Sequence, residues 1–352
     1  MKTRATDRNP ANRCQPIATD RVDDGWYQPP EDELCPDSVA TEVVAETVRT
    51  IISTNQSPDV PFDQSINPYR GCEHGCIYCF ARPTHAYWDL SPGLDFETRL
   101  IAKPNAAARL REAFDRPGYV PKPIALGVNT DAYQPIEREY RITRSLLEVM
   151  ADYRHPVSLI TKGALILRDL DLLSGLAADG LCSVRISLTT LSNDLKRRME
   201  PRTAAPATRL SVIRQLREAG VPVGIILGPV IPFINDHELE AILAAAAEAG
   251  AQRASWIMLR LPLELDDLFQ DWLQRQFPDR ASHVMNRIRD LRGGRSYDSQ
   301  FGTRMTGAGP YAELIRQRFT QRARKLGLAL HEAEPLRTDR FRRPAGDQMA
   351  LW

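Results

Sequence analysis

From about residue 60 onward, short apolar runs alternate with longer segments whose apolar positions recur every three to four residues. The runs at 60–66, 123–128, 157–160, 182–186, 223–227 and 254–259 have the length of strands, and most are rich in Val, Ile or Leu. Between them, segments 104–115, 141–153, 168–179, 208–219 and 236–249 carry the amphipathic pattern of helices. In the second of these, Leu146, Leu147, Met150 and Tyr153 fall on one face. Strands alternating with helices of this length predict a parallel sheet with right-handed crossovers. Six such units predict an α/β fold, a partial (β/α)6 TIM-type barrel left open on one side.

The ends of the chain read differently. Residues 1–58 lack apolar periodicity, and their first 40 positions are rich in Asp, Pro, Asn and Thr, which predicts a flexible N-terminal extension. Cys14 and Cys35 lie there without any spacing pattern. The barrel core is expected over 59–262, followed by an α-rich, basic region over 263–352. No apolar run reaches the length of a membrane span, and the first residues lack a signal-peptide pattern, so a cytoplasmic protein with no membrane partner is expected. The net charge of +1 gives no general pull toward nucleic acid. Locally, Arg316, Arg318, Arg322, Arg324 and Lys325, with Arg340, Arg342 and Arg343, fit a possible nucleic-acid partner. The helical spacing of Arg318, Arg322 and Lys325 is equally that of a solvated helix face.

Chemistry concentrates in Asn67-Pro-Tyr-Arg-Gly-Cys72-Glu-His-Gly-Cys76-Ile-Tyr-Cys79-Phe80. Three thiolates on one short loop can hold three irons of a 4Fe-4S cluster and leave the fourth iron open to a small molecule. A zinc site could recruit His74 to make Cys3His, but zinc motifs usually come as two separated pairs. A disulfide is disfavoured, because three cysteines cannot pair fully. Gly71 and Gly75 suggest backbone wrapped closely around something. The loop follows the first predicted strand, and chemistry in parallel barrels gathers at the C-terminal ends of strands. Other strand ends are polar too: Asn129, Thr130 and Asp131 after the second, Thr161 and Lys162 after the third, Ser187 after the fourth. Gly228 to Pro232 forms a stiff apolar bend after the fifth.

The C-x3-C-x2-C spacing followed by aromatic Phe80 resembles the signature of the radical S-adenosylmethionine (SAM) superfamily. Asn67 to Cys72, the run Thr130-Asp131-Ala-Tyr133-Gln-Pro-Ile-Glu137, and Met199-Glu200-Pro-Arg202-Thr203 further resemble its spore photolyase-related, DNA-repair-like group. The resemblance covers roughly residues 60–260. It implies a 4Fe-4S cluster on Cys72, Cys76 and Cys79 whose open iron chelates the amino and carboxylate groups of SAM. One-electron reduction, supplied by a reductase such as flavodoxin or ferredoxin, would then release a 5′-deoxyadenosyl radical that takes hydrogen from nucleic acid or protein. It places cofactor contacts on Phe80, Asn129, Thr130, Asp131, Lys162 and Ser187, with Arg202 on the carboxylate. Spore photolyase also uses a cysteine near the second strand as hydrogen donor. Here Gly127 to Thr130 carries no thiol and Cys182 opens the fourth strand, which leaves Tyr78 and Tyr133 as candidate donors. The competing reading is a nucleic-acid-binding protein whose three cysteines hold a structural metal.

Overall fold

The computed structural model describes residues 4–14, 39–330 and 335–344, so Cys35 lies outside the described residues. Among the described residues there are ten strands: β1 (Glu42–Ala45), β2 (Ser53–Thr54), β3 (Gln64–Ile66), β4 (Tyr69–Arg70), β5 (Arg99–Ala102), β6 (Ile124–Leu126), β7 (Val157–Thr161), β8 (Cys182–Ser187), β9 (Val223–Val230) and β10 (Arg253–Met258). The main sheet has seven strands in the order β10-β9-β8-β7-β6-β3-β2. Every pair from β3 to β10 is parallel, and only β2 runs antiparallel at one edge. Among the described residues no pairing joins β10 back to β3, so the six-strand parallel array is open rather than closed. This is the α/β order that the alternating pattern predicts.

The helices are α1 (Asp95–Thr98), α2 (Ala106–Asp115), α3 (Glu137–Tyr140), α4 (Ile142–Asp152), α5 (Leu170–Ala178), α6 (Asn193–Met199), α7 (Pro206–Glu218), α8 (Leu239–Glu248), α9 (Leu265–Gln276), α10 (Pro278–Asp290) and α11 (Pro310–Lys325). Most follow a strand and cover the sheet. Leu146, Leu147 and Met150 of α4 are fully buried, as their spacing predicts. α6 starts where the Ser192 hydroxyl accepts from Leu195 N at 3.2 Å, and α7 starts with Pro206, whose missing N–H costs nothing in a first turn. One large apolar cluster lies between sheet and helices, and a second joins Ile77 and Tyr78 to α9 and α10.

Two features depart from expectation. A second sheet, β1-β5-β4, stands beside the cysteine loop, built on the buried run Leu100, Ile101 and Ala102. Four residues are too few to show a period, so this strand carries no clear signal in the sequence. The described parts of the expected flexible extension, 4–14 and 39–58, are packed. β1 pairs with β5, and Val48 and Ile51 join the main core. Arg4 donates to Glu97 O at 2.7 Å, buried Asn12 donates to Ala86 O at 3.1 Å, and Arg13 reaches Glu264 at 2.7 Å. Polar side chains spent on specific backbone partners tie this segment down without any apolar periodicity.

The basic region also resolves. α11 buries Ala312, Ile315, Phe319 and Ala323. Arg318 forks onto Glu240 of α8 at 2.7 and 2.6 Å, and Arg343 donates to Phe114 O and Arg116 O. These cations are committed within the chain.

Candidate cluster and cofactor site

The cysteine loop leaves β4 and returns through a short 3-10 helix, Arg82–Trp88. Its backbone is fixed at both ends. Cys72 N donates to Phe96 O at 2.9 Å, and Ile77 N donates to Met199 O at 2.9 Å. Arg82, fully buried, donates from Nε to Cys76 O at 2.9 Å, from Nη1 to Gly93 O at 2.9 Å, and pairs with equally buried Glu97 at 2.5 Å. The second Glu97 oxygen accepts Ala5 N at 3.0 Å. Gly71 and Gly75 sit at φ +72° and +64°, where a side chain is strained. A Cβ on Gly75 would lie 2.5 Å from Glu97 Oε2, and one on Gly71 would lie 2.6 Å from Leu100 Cδ2. What these glycines wrap around is therefore the protein's own brace.

Cys72, Cys76 and Cys79 open together onto a cavity of about 450 Å³ at the C-terminal ends of the parallel strands. Its walls include Phe80 of the cysteine loop and Asn129, Thr130, Asp131, Lys162 and Ser187 at the strand ends. Cys182 and Cys14 do not line it. Burial, then the charges of Asp131, Cys76 and Cys79, raise the Cys72 thiol well above its usual range. Burial pushes Cys76 up to about 12, with Lys162 pulling the other way. The buried Cys72 and Cys76 sulfurs resist ionisation unless a strong positive charge sits among them, and a cationic iron cluster would supply that charge. The donor set fits such a group. Among the described residues, no three His, Cys, Asp or Glu side chains converge tightly enough for a single metal ion, as a structural zinc would need.

The polar wall is organised by Asp131. Its carboxylate accepts from Thr161 Oγ1 at 2.6 Å, Lys162 N at 2.7 Å and Tyr133 N at 2.9 Å, and lies 3.2 Å from His74 Nδ1. Burial opposes ionisation, but His74 and these donors prevail and hold the acid well below the carboxylate range. Asn67 Oδ1 accepts from Asn129 N at 2.8 Å, and Thr130 Oγ1 donates to Tyr69 O at 2.9 Å. Asp131 thus joins strand ends β6 and β7 to the cysteine loop.

Two expected residues fall elsewhere. Arg202 is outside the cavity wall and its Nη2 pairs with Glu73 at 3.1 Å, because the Pro201 turn points it across the back of the cysteine loop. The residue of that pentapeptide that reaches the site is Glu200. It is fully buried, pairs with Arg209 at 2.5 Å, accepts the Tyr78 hydroxyl, and lies 4.0 Å from Cys76 Sγ. Burial would raise its acid, yet Arg209 and Lys162 bring it below the ordinary value. An acid followed by Pro is the only sequence signal for it. Tyr133 is buried away from the cavity, since its peptide carbonyl packs under Gly163. Tyr78 lines the cavity, but its hydroxyl is taken up by Glu200 and by Thr189 at 3.2 Å.

An open parallel (β/α) array with three cysteines on the loop after its first strand defines a radical-cluster enzyme class. The chain belongs to the Radical SAM superfamily, whose family model matches residues 66–246. The superfamily uses a 4Fe-4S cluster and SAM, and this chain is an enzyme of that family. It is 38% identical over 234 residues to an uncharacterized protein of Mycobacterium tuberculosis, covering 66% of this chain and 68% of that one. It is also 25% identical over 222 residues to an uncharacterized protein of Methanocaldococcus jannaschii, covering 63% and 79%. Among solved structures, spore photoproduct lyase complexed with dinucleoside spore photoproduct superposes with a TM-score of 0.58 at 14% identity, covering 82% of this chain and 81% of that chain. That likeness shows the shared fold.

Proposed function

We propose that this chain holds a 4Fe-4S cluster on Cys72, Cys76 and Cys79, cleaves SAM reductively, and abstracts hydrogen from a substrate in the same cavity. The observation that carries this is the common opening of the three sulfurs and the polar strand ends onto one space of about 450 Å³. Held by Cys72, Cys76 and Cys79, the cluster would supply the electron and the open iron for reductive sulfonium cleavage to a 5′-deoxyadenosyl radical.

The chain's own residues bind and orient. Lys162 replaces Arg202 as the cation for the SAM carboxylate, since it lines the cavity while Arg202 is turned onto Glu73. Burial would weaken its charge, but Cys76 and Glu200 keep Lys162 protonated with a raised pKa. Asn129, Thr130 and the fixed Asp131 face the ammonium, and Ser187 the ribose side. The Tyr78 ring, held by Glu200, and Phe80 supply flat apolar surface and exclude water. Thr189 and Arg209 hold that acid–phenol pair in place.

A flavodoxin or ferredoxin in a reducing cytoplasm suits the electron supply. Among the described residues no helix is long and apolar enough to cross a membrane. Nucleic acid is a substrate class compatible with the reading, because a neighbouring fold was solved with a dinucleoside photoproduct.

The test is anaerobic reconstitution followed by reduction with SAM. Wild type should bind iron and sulfide and release 5′-deoxyadenosine. Lys162→Gln should assemble the cluster but bind SAM roughly 10-fold to 100-fold more weakly, as for a lost charged hydrogen bond. Stoichiometric zinc in a colourless protein would instead support the structural-metal reading.

A further inference from the structure

One wall of the cavity is made by the end of β10, Arg260 and the segment Arg304–Met305. Met258 N donates to Met305 O at 2.8 Å, so the segment continues the strand edge over the mouth. Arg260 lies between them. Its guanidinium stacks 5.2 Å from the Phe80 ring centroid, beside the cysteine loop, and Nη1 lies 3.6 Å from Met305 Sδ. Its Nε is buried without a hydrogen-bond partner. Among the described residues, no carboxylate comes within ion-pair distance of it.

A second cation stands behind. Arg292 is buried, with Nη1 on Thr303 O at 2.8 Å and Nη2 on Leu259 O at 3.0 Å, and its Nε is also unpartnered. It clamps the backbone on both sides of Arg260, and its guanidinium is brought below its usual range by burial and then by the Arg260 charge. Asp298, whose charge reaches Arg292, is committed to Gln300 N at 2.9 Å and Thr303 Oγ1 at 3.0 Å. By contrast, Arg304, next along the same wall, is paired with Asp59. A buried guanidinium and a part-buried one beside it, meeting only carbonyls, sulfur and a ring, repel each other unless an anion joins them.

We propose that Arg260 is a specificity-determining residue that binds an oxyanion of the substrate, a phosphate or a carboxylate, with Arg292 as its positioning residue. A planar guanidinium offers paired donors to either group, and the second positive charge favours the more highly charged phosphate. This rests on the cavity being the SAM and substrate site proposed above. It adds that the substrate enters with its anion toward β10.

The test uses unreduced, cluster-loaded protein saturated with SAM, so that the methionine site is filled and no cleavage occurs. Inorganic phosphate and acetate are titrated separately by calorimetry, and SAM affinity is measured in parallel. Wild type should bind phosphate; equal binding of acetate would assign a carboxylate-bearing substrate, and phosphate alone a phosphorylated one. Arg260→Gln should weaken anion binding about 10-fold or more while SAM affinity stays unchanged. Arg260→Lys, which keeps the charge, should restore part of it. No anion binding by SAM-saturated wild type would overturn the proposal, and so would anion binding that SAM abolishes. A parallel loss of SAM affinity in Arg260→Gln would place the residue in the cofactor pocket instead. Failure of SAM cleavage in wild type counts separately, against the function proposed above.

Discussion

The two walls of the cavity solve opposite problems. On the cysteine side, buried acids meet bases: Glu97 meets Arg82, Glu200 meets Arg209, and Asp131 lies beside His74. On the β10 side, part-buried Arg260 and buried Arg292 have no carboxylate in ion-pair contact among the described residues. A site that must hold a fixed inorganic group needs geometry set before loading, and paired charges set it. A site that must capture and release a changing ligand keeps its charge available. On the proposed reading, the contrast separates cofactor-holding from substrate-reading surface.

The largest effect should come from the sulfurs. Cys72→Ala, Cys76→Ala and Cys79→Ala should each abolish iron and labile sulfide binding, while Cys14→Ala, Cys35→Ala and Cys182→Ala keep both. A fully assembled, SAM-cleaving Cys76→Ala protein would remove the basis for dividing the walls. Next comes the brace. Glu97→Gln leaves Arg82 buried without its counter-charge and should cost about 3–5 kcal/mol in urea denaturation. A loss well under 1 kcal/mol would show that the loop is not braced by this pair.

His85 sharpens the same point by pH. It is buried beside Gly71, with Nε2 2.9 Å from Arg99 O, and burial brings its pKa from 6.5 to about 4. Between these values the unfolded chain binds the extra proton and the folded chain does not. Stability should therefore be unaffected by this ring above pH 6.5 and fall as pH drops toward 4, by on the order of 3 kcal/mol. His85→Phe should flatten the slope between those limits, and an unchanged slope would assign it to other groups. The smallest effect belongs to the half-exposed pair Arg318–Glu240, far from either wall. Arg318→Ala should cost no more than about 1 kcal/mol and leave SAM binding unchanged. A larger loss in either would tie α11 to the site.

Much of this was legible in the residues. Long helical periods and Val/Ile-rich runs fixed the order of the main sheet, because burial imposes those patterns directly. The cysteine triad and the polar strand ends were legible because ligand spacing and barrel topology constrain them locally. Glu200, Arg82 and Glu97 were not. Each acts through a partner distant in the chain or on another element, and no local pattern records such a pairing. Arg202 escaped for the same reason: a turn of one residue decides whether the acid or the base of Glu200-Pro-Arg202 meets Cys76 and Tyr78. Arg260 was silent because a lone arginine after a strand looks like surface until its neighbours are known.

The stretch 4–14 has a consequence for biosynthesis. Ala5 N closes the brace on Glu97, while Asp7 meets Arg275 and Arg13 meets Glu264, both on or next to α9. Residues 4–14 leave the ribosome long before α9 does, and they wait without their partners. The outer support of the cysteine loop is therefore finished only once the chain beyond residue 275 has been made.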